Sequence, residues 1–207
     1  MRRRAKPSVL ARLRAMPATV RQYHEIAALG SIARRYFAMN AFDGVLTSVG
    51  ILAGAFLGGV EKAHTVVSVV VAASVSMGVS GFYGSYLVER AERGRALREL
   101  EESTLSRLDR TDIGAAVRYA SVVIALIDGA SPAAASLLMI VPFFFARSIG
   151  VHAAYYVGWG VAFVELFLLG AFLGRISRER IVVSGLKLVL AGGISLGLSL
   201  LLHAGGL

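Results

Sequence analysis

The chain has 207 residues, of which 56% are hydrophobic and only 17% charged, with a mean hydropathy of +0.68. A soluble domain is about 45–50% apolar and about 25% charged, and a fold of this length leaves too much wet surface to hide the excess. The 22 basic residues outweigh the 13 acids to give +9. Beside so much apolar chain, that excess points to the cytoplasmic loops of a membrane protein rather than to nucleic acid.

Residues 1–35 carry nine basic residues and one acid, Glu25, punctuated by Pro7 and Pro17. They read as a basic cytoplasmic or interfacial arm, with Thr19 placed to cap an amphipathic helix that ends near Arg35. No apolar stretch precedes Tyr36, so the start does not read as a cleavable signal peptide. Region 36–88 supplies the first two spans, 36–57 and 65–88, joined by a short turn. Region 89–130 breaks the apolar pattern, with six Arg and seven acids between positions 89 and 112. Glu89/Arg93, Arg95/Glu99 and Arg98/Glu102 stand at i,i+4, so this stretch continues the second helix into the cytoplasm. Residues 113–127 are apolar but too short to span, and read as an interfacial or bundle-packing helix. Asp128-Gly129-Ala130-Ser131-Pro132 reads as a turn that starts the next helix, with Ser131 as N-cap and Pro132 at N1.

Region 131–207 holds the last three spans. The third, 132–146, is short and bent by Pro142; the fourth is 151–174; the fifth is 181–202, after a basic turn. The expected fold is an all-α integral membrane protein. It has five transmembrane helices and a short helical cytoplasmic insertion between helices 2 and 3. With the N-terminus in the cytoplasm and the C-terminus opposite, 20 basic residues lie on the cytoplasmic side and two, Lys62 and Arg147, on the other. That partition follows the positive-inside rule at every loop.

Two carboxylates interrupt the spans. An ionisable residue there costs at least about 2.5–3.5 kcal/mol and marks a functional position by default. Asp43 sits about 10 Å inside span one, on a stripe with Asn40, Thr47, Gly50, Gly54 and Gly58. The stripe is polar at one end and small beyond, which suits a partner helix. Asp43 either caps or pairs with an arginine such as Arg34 or Arg35, or it binds a cation in a water-accessible cavity. Span two offers a matching face of Ala73, Met77, Ser80, Gly81 and Gly84. Met77 alone would be core filler; on a small polar face opposite an acid, its thioether is a ligand for a transition metal. Gly54, Gly81 and Gly84 are expected at helix contacts. Glu165, inside span four, pairs with a cation, binds metal, shuttles a proton, or is a hydrogen-bonded structural acid. Glu89, Glu92, Glu99 and Glu102 share one helix face, either as a collector of cations or as a solvated face laced by arginines.

No nucleophile–base set, phosphate loop or metalloprotease motif occurs, so no enzyme is expected and no organic cofactor. The absence of cysteine excludes disulfide frameworks and thiolate metal sites.

Several motifs in order resemble the vacuolar iron transporter family. They are Asn40-Ala41-Phe42-Asp43-Gly44, Ser76-Met77-Gly78, Tyr86-Leu87-Val88 with Glu92 and Arg98-Glu99, Ser131-Pro132-Ala133 with Pro142-Phe143-Phe144, Leu166 to Ala171, and Ser184-Gly185-Leu186-Lys187. The resemblance implies a five-helix homodimer that moves Fe²⁺, often also Mn²⁺, out of the cytosol in exchange for protons. It implies a transport site at Asp43 and Met77, and metal-binding glutamates at or near Glu92, Glu99 and Glu102. Four features depart from that pattern. The polar segment is short, and 113–127 lacks the family's Met and Glu, leaving at best Asp128. An acid of the family's second span is replaced by an apolar run around Val69, and Glu165 has no counterpart. The expected function is therefore proton-coupled export of Fe²⁺ or Mn²⁺ through Asp43, Met77, Asn40 and Glu165, with metal ions, protons and lipid as partners. The alternative is a membrane-anchored metal-binding or scaffolding protein with no transport cycle.

Overall fold

The computed structural model describes residues 29–204, with side chains to Leu202. Among the described residues the chain is helical and contains no strand. Helix α1 is Leu29–Leu57, α2 is Ala63–Thr104 and α3 is Asp112–Leu138. A 3-10 segment, Val141–Phe145, and a single turn, Ala146–Ile149, follow α3. Helix α4 is Val151–Ser177 and α5 is Ile181–Ala204. Five stretches are long and apolar enough to cross a membrane: α1, α2, α3 continued to Ile149, α4, and α5 to Leu202. The chain divides into two compact units, one around Gly84–Ala125 and the other formed by Arg35–Tyr83 with the chain from Leu126 onward.

The largest departure from expectation lies at 128–132. This stretch is neither a turn nor a helix start; it is the interior of α3, and 113–127 is the first half of the same helix. Ser131 does not cap anything: its hydroxyl donates to the Ile127 carbonyl one turn back. Pro132 has no N–H to offer the Asp128 carbonyl. That side of the helix is closed instead by Gly81, where a Cβ would lie 3.1 Å from the Asp128 carbonyl oxygen. The helix continues because one face keeps a seven-residue rhythm of buried residues, Ser121, Ala125, Asp128, Pro132 and Ala135, which runs on to Met139 just past its end. Pro142 acts as expected, sitting at the start of the 3-10 segment that ends the regular helix.

Two other boundaries move. Helix α1 is already helical at Leu29, ahead of the expected span start at Tyr36, and runs unbroken through Arg34 and Arg35, between which the two compact units divide. The proposed cap at Thr19 and the rest of the arm lie outside the described residues. Helix α2 continues past the apolar stretch, as its i,i+4 pairs predict, but stops at Thr104. Leu105 takes a left-handed φ of +50°, and the Glu101 carboxylate accepts the backbone N–H groups of Leu108 (2.6 Å) and Asp109 (3.1 Å). Two of the predicted pairs form, Glu89–Arg93 at 2.7 Å and Glu99–Arg95 at 2.8 Å. Arg98/Glu102 is not among the ion pairs of the described residues.

In the larger unit, Val45, Val49 and Leu52 of α1 pack with Val66 and Val70 of α2, Met139 after α3, and Tyr155 and Leu166 of α4. The Tyr155 hydroxyl donates to the Val60 carbonyl at 2.9 Å and ties α4 to the α1–α2 turn. Phe56 meets Tyr155 and Trp159 edge-on, with ring centres 5.3 and 5.4 Å apart. Glycines set the closest helix crossings. A side chain on Gly44 would run into the Pro132 backbone, and a Cβ on Gly129 would lie 2.5 Å from the Gly78 carbonyl oxygen. The outer faces stay apolar, with Leu168 60%, Leu190 65% and Leu201 69% exposed. A surface this apolar is abnormal against water.

The α4–α5 turn carries a polar contact of its own. Glu179 accepts from Lys187 Nζ at 3.3 Å and from the Ser184 hydroxyl at 3.2 Å. The Lys187 bond, the Ser184 bond and the lysine charge hold the Glu179 carboxyl below its ordinary range. The folded state therefore releases that proton more readily than the unfolded one. Its contribution is complete above the unfolded value of about 4.3 and fades as pH falls through the folded value.

Two predictions follow. Gly129→Ala forces backbone against backbone and should lower stability by about 1–3 kcal/mol or more. Gly160→Ala, where a Cβ meets nothing within 4 Å, should be neutral or slightly stabilising; both are read by thermal unfolding in detergent. Glu179→Gln should lower the unfolding temperature slightly at pH 6–7, and its difference from wild type should shrink toward zero near pH 3.

Candidate functional site

The hydroxyl groups of the apolar helices are mostly satisfied locally. Ser74 donates to the Val70 carbonyl at 2.7 Å, Ser136 to Pro132 at 2.6 Å and Ser199 to Ser195 at 3.0 Å. Each serine thereby returns its proton to the turn before it, which is how a hydroxyl is accommodated in an apolar helix. The carboxylates are held differently, and they mark two separate places.

The first is a cavity of about 410 Å³ lined by Asn40 and Asp43 of α1, Ser76, Met77 and Ser80 of α2, and Pro132 of α3, with Gly81 at its wall. The glycine crossings build it. Gly44 brings α1 onto Pro132, and Gly78 and Gly81 bring α2 onto the Asp128–Gly129 backbone. Asp43 and Met77, 34 positions apart in the chain, thus come to one cavity, as the sequence predicts. Asp43 is exposed within the single chain and makes no hydrogen bond or ion pair among the described residues. The reading of Asp43 as half of an arginine pair is therefore not realised; Arg35 instead stacks on Tyr36, with its guanidinium carbon 5.7 Å from the ring centre.

Asn40 is fixed from two sides. Its amide nitrogen donates to the Tyr36 carbonyl at 2.8 Å and to the Asp128 carboxylate. Asp128 is buried, 8% exposed. Sequence reasoning placed it in a cytoplasmic turn and missed its role as the anchor of Asn40. The signal was present as the seven-residue rhythm of α3, which carries through Asp128. The turn chemistry of Asp-Gly and Ser-Pro masked it.

The second place is Glu165, near the middle of α4. Both of its carboxylate oxygens are buried and have no hydrogen-bond partner among the described residues. It lines a different cavity, of about 330 Å³, with Phe37 of α1, Ser131, Ala134 and Leu138 of α3, and Leu168 and Phe172 of its own helix. Phe37 and Phe172 meet edge-on across it at 5.8 Å. Neighbouring residues face the two cavities: Asn40 lines one and Ala41 the other, as do Pro132 and Ser131. The structure does not bring Glu165 to the Asp43–Met77 cavity.

On the acidic stretch of α2, Glu89 and Glu99 are engaged by Arg93 and Arg95. Glu92 and Glu102 are exposed. No group of three or more His, Asp or Glu side chains among the described residues is arranged to hold a metal ion. Of the three glycines expected at contacts, Gly81 packs against α3, whereas Gly54 and Gly84 face open space within the single chain.

The chain is 30% identical over 172 residues to the uncharacterized protein MJ0645 of Methanocaldococcus jannaschii, covering 82% of this chain and 87% of that one. No protein-family model matches the chain. No solved structure matches it either.

Removing the anchor of Asn40 tests the site's construction. Asp128→Ala leaves the part-buried Asn40 amide with one acceptor, the Tyr36 carbonyl, and should cost about 1 kcal/mol. Asp128→Asn keeps an acceptor oxygen and should cost clearly less, measured by Trp159 fluorescence during thermal unfolding in detergent.

Proposed function

The chain belongs to the family of that archaeal relative, and within it we propose a divalent transition-metal transporter that removes Fe²⁺, and Mn²⁺ as well, from the cytosol. One observation carries the reading: Asp43, unpaired, and Met77 line the same cavity beside a fixed Asn40. A carboxylate supplies charge and a hard oxygen; a thioether selects against Mg²⁺ and Ca²⁺ in favour of softer ions. An amide oxygen from Asn40 adds a neutral donor, since its nitrogen is committed to Tyr36 and Asp128. Five long helices with apolar outer faces suit a multi-pass membrane protein. The distribution of basic residues puts the N-terminus in the cytoplasm and the C-terminus opposite.

Two or three donors do not complete a metal's coordination shell. The remainder comes from water and from a second copy of the chain. Asp43 and Thr47 are exposed on α1, and a Cβ at Gly50 or Gly54 would meet nothing within 4 Å. A small, polar helix face of this kind suits close contact with another apolar helix, so the working form is a homodimer joined along it. The exposed Glu92 and Glu102, with Glu89 and Glu99 on the same face, raise the local concentration of cations on the cytoplasmic side. Protons moving the other way supply the driving force.

The test is flux into sealed proteoliposomes. Wild-type protein should move Fe²⁺ and Mn²⁺ but not Ca²⁺. Asp43→Ala should reduce metal flux at least about 10-fold, and Met77→Leu should reduce Fe²⁺ flux by a smaller factor, as loss of one metal contact does. Full transport by Asp43→Ala overturns the assignment. Metal binding by wild type without movement across the vesicle favours a membrane-anchored binding protein instead.

A further inference from the structure

We propose that Glu165 is a proton-carrying group of this protein, binding and releasing a proton in an apolar cavity of its own, apart from the cavity of Asp43 and Met77. Both carboxylate oxygens are buried without a partner among the described residues, so no contact there uses this acid structurally. A hydrogen-bonded structural acid, the ordinary reason for a buried glutamate, would show an acceptor or donor; the described residues provide none. The cavity walls are Phe37, Ala134, Leu138, Leu168 and Phe172, with Ser131 the one other polar side chain. The Ser131 hydroxyl is committed to the Ile127 carbonyl. An unpaired carboxylate ion in such surroundings is costly, whereas the neutral acid is far less so. The group therefore has one use that fits its setting: to hold a proton and give it up when charge is supplied nearby.

Glu165 has no titratable company in that cavity. The lining residues from α1 and α3 are uncharged. The acids those helices carry closest in sequence, Asp43 and Asp128, belong to the other cavity or to the Asn40 contact. On α5, Lys187 is bonded to Glu179 at the turn. No soft donor lies in the cavity, and a single carboxylate among hydrocarbon walls is a poor metal site. The two cavities are divided by neighbouring residues, Asn40 and Ala41 on α1 and Ser131 and Pro132 on α3. Proton and metal would then occupy different carboxylates of one helix packing and communicate through that shared seam. The coupling role rests on the transporter reading above; the proton chemistry of Glu165 does not.

The experiment has an arm for each. Purified full-length protein in liposomes is treated with dicyclohexylcarbodiimide, which enters apolar sites and reacts with protonated carboxyls. The acid proton passes to a carbodiimide nitrogen, the carboxylate adds to the central carbon, and the adduct rearranges to a stable N-acylurea. Peptide mass spectrometry should find the adduct on Glu165 at least about 5-fold above Asp43. Labelling should fall as pH rises, persist in Asp43→Ala and in Glu165→Asp, and vanish in Glu165→Gln. A water-soluble carbodiimide should leave the site unlabelled. Absence of the adduct on Glu165, or labelling unchanged from pH 5 to pH 9, overturns the proposal. In the second arm, the ratio of Mn²⁺ flux with and without a pH gradient should exceed one in wild type and fall to about one in Glu165→Gln. A retained gradient response in that variant overturns the coupling role. Loss of all metal flux in wild type defeats the transporter reading and leaves the labelling result to decide the proton site.

Discussion

The backbone contact of α3 with its two neighbours governs everything described around the site. The backbone of Asp128, Gly129 and Pro132 lies against α1 and α2 where Gly44, Gly78 and Gly81 carry no side chain. Helices that touch backbone to backbone fix their register tightly, because small surfaces leave no room for sliding. That register carries Asp43 and Met77 to one cavity and turns Ala41 and Ser131 toward the other. Pro132 is tolerated in mid-helix because its missing donor falls where Gly81 closes against the Asp128 carbonyl.

Against this frame the polar groups fall into two sets. Ser74, Ser131, Ser136 and Ser199 return their hydroxyl protons to the preceding turn, and Asn40 is held by Tyr36 and Asp128. These groups cost little and fix local geometry. Beside the Ser48 hydroxyl and the Trp159 indole N–H, which also lack partners among the described residues, two acids are left over, Asp43 and Glu165. One is exposed beside a thioether and an amide; the other has both oxygens buried in a cavity of aromatic and aliphatic walls. Two acids in unlike surroundings suit unlike partners, a cation for the first and a proton for the second.

Much of this was legible in the chain. Apolar runs located five helices, and the end of α1 and the starts of α4 and α5 match the sequence reading. The i,i+4 pairs extended α2 beyond its apolar part, and the shared polar faces joined Asp43 to Met77. The stretch 128–132 was misread because Asp-Gly and Ser-Pro are turn signals in water, while buried packing overrides them here. Gly54 and Gly84 were expected at helix contacts and meet nothing within the single chain; smallness alone does not say which helix a glycine meets. The separation of Glu165 from Asp43 depends on the rotation of α1 against α3 and α4. No spacing within one helix encodes that angle, and only the packed structure supplies it.

The central claim is that Asp43 and Met77 together bind a divalent transition metal. Crystals of the full-length protein soaked in Mn²⁺ or Fe²⁺, with anomalous data collected across the metal edge, test it most directly. The account predicts an anomalous peak within bonding distance of both the Asp43 carboxylate and the Met77 sulfur. A well-ordered cavity without a peak at saturating metal, or peaks confined to the Glu92 and Glu102 face of α2, would contradict it.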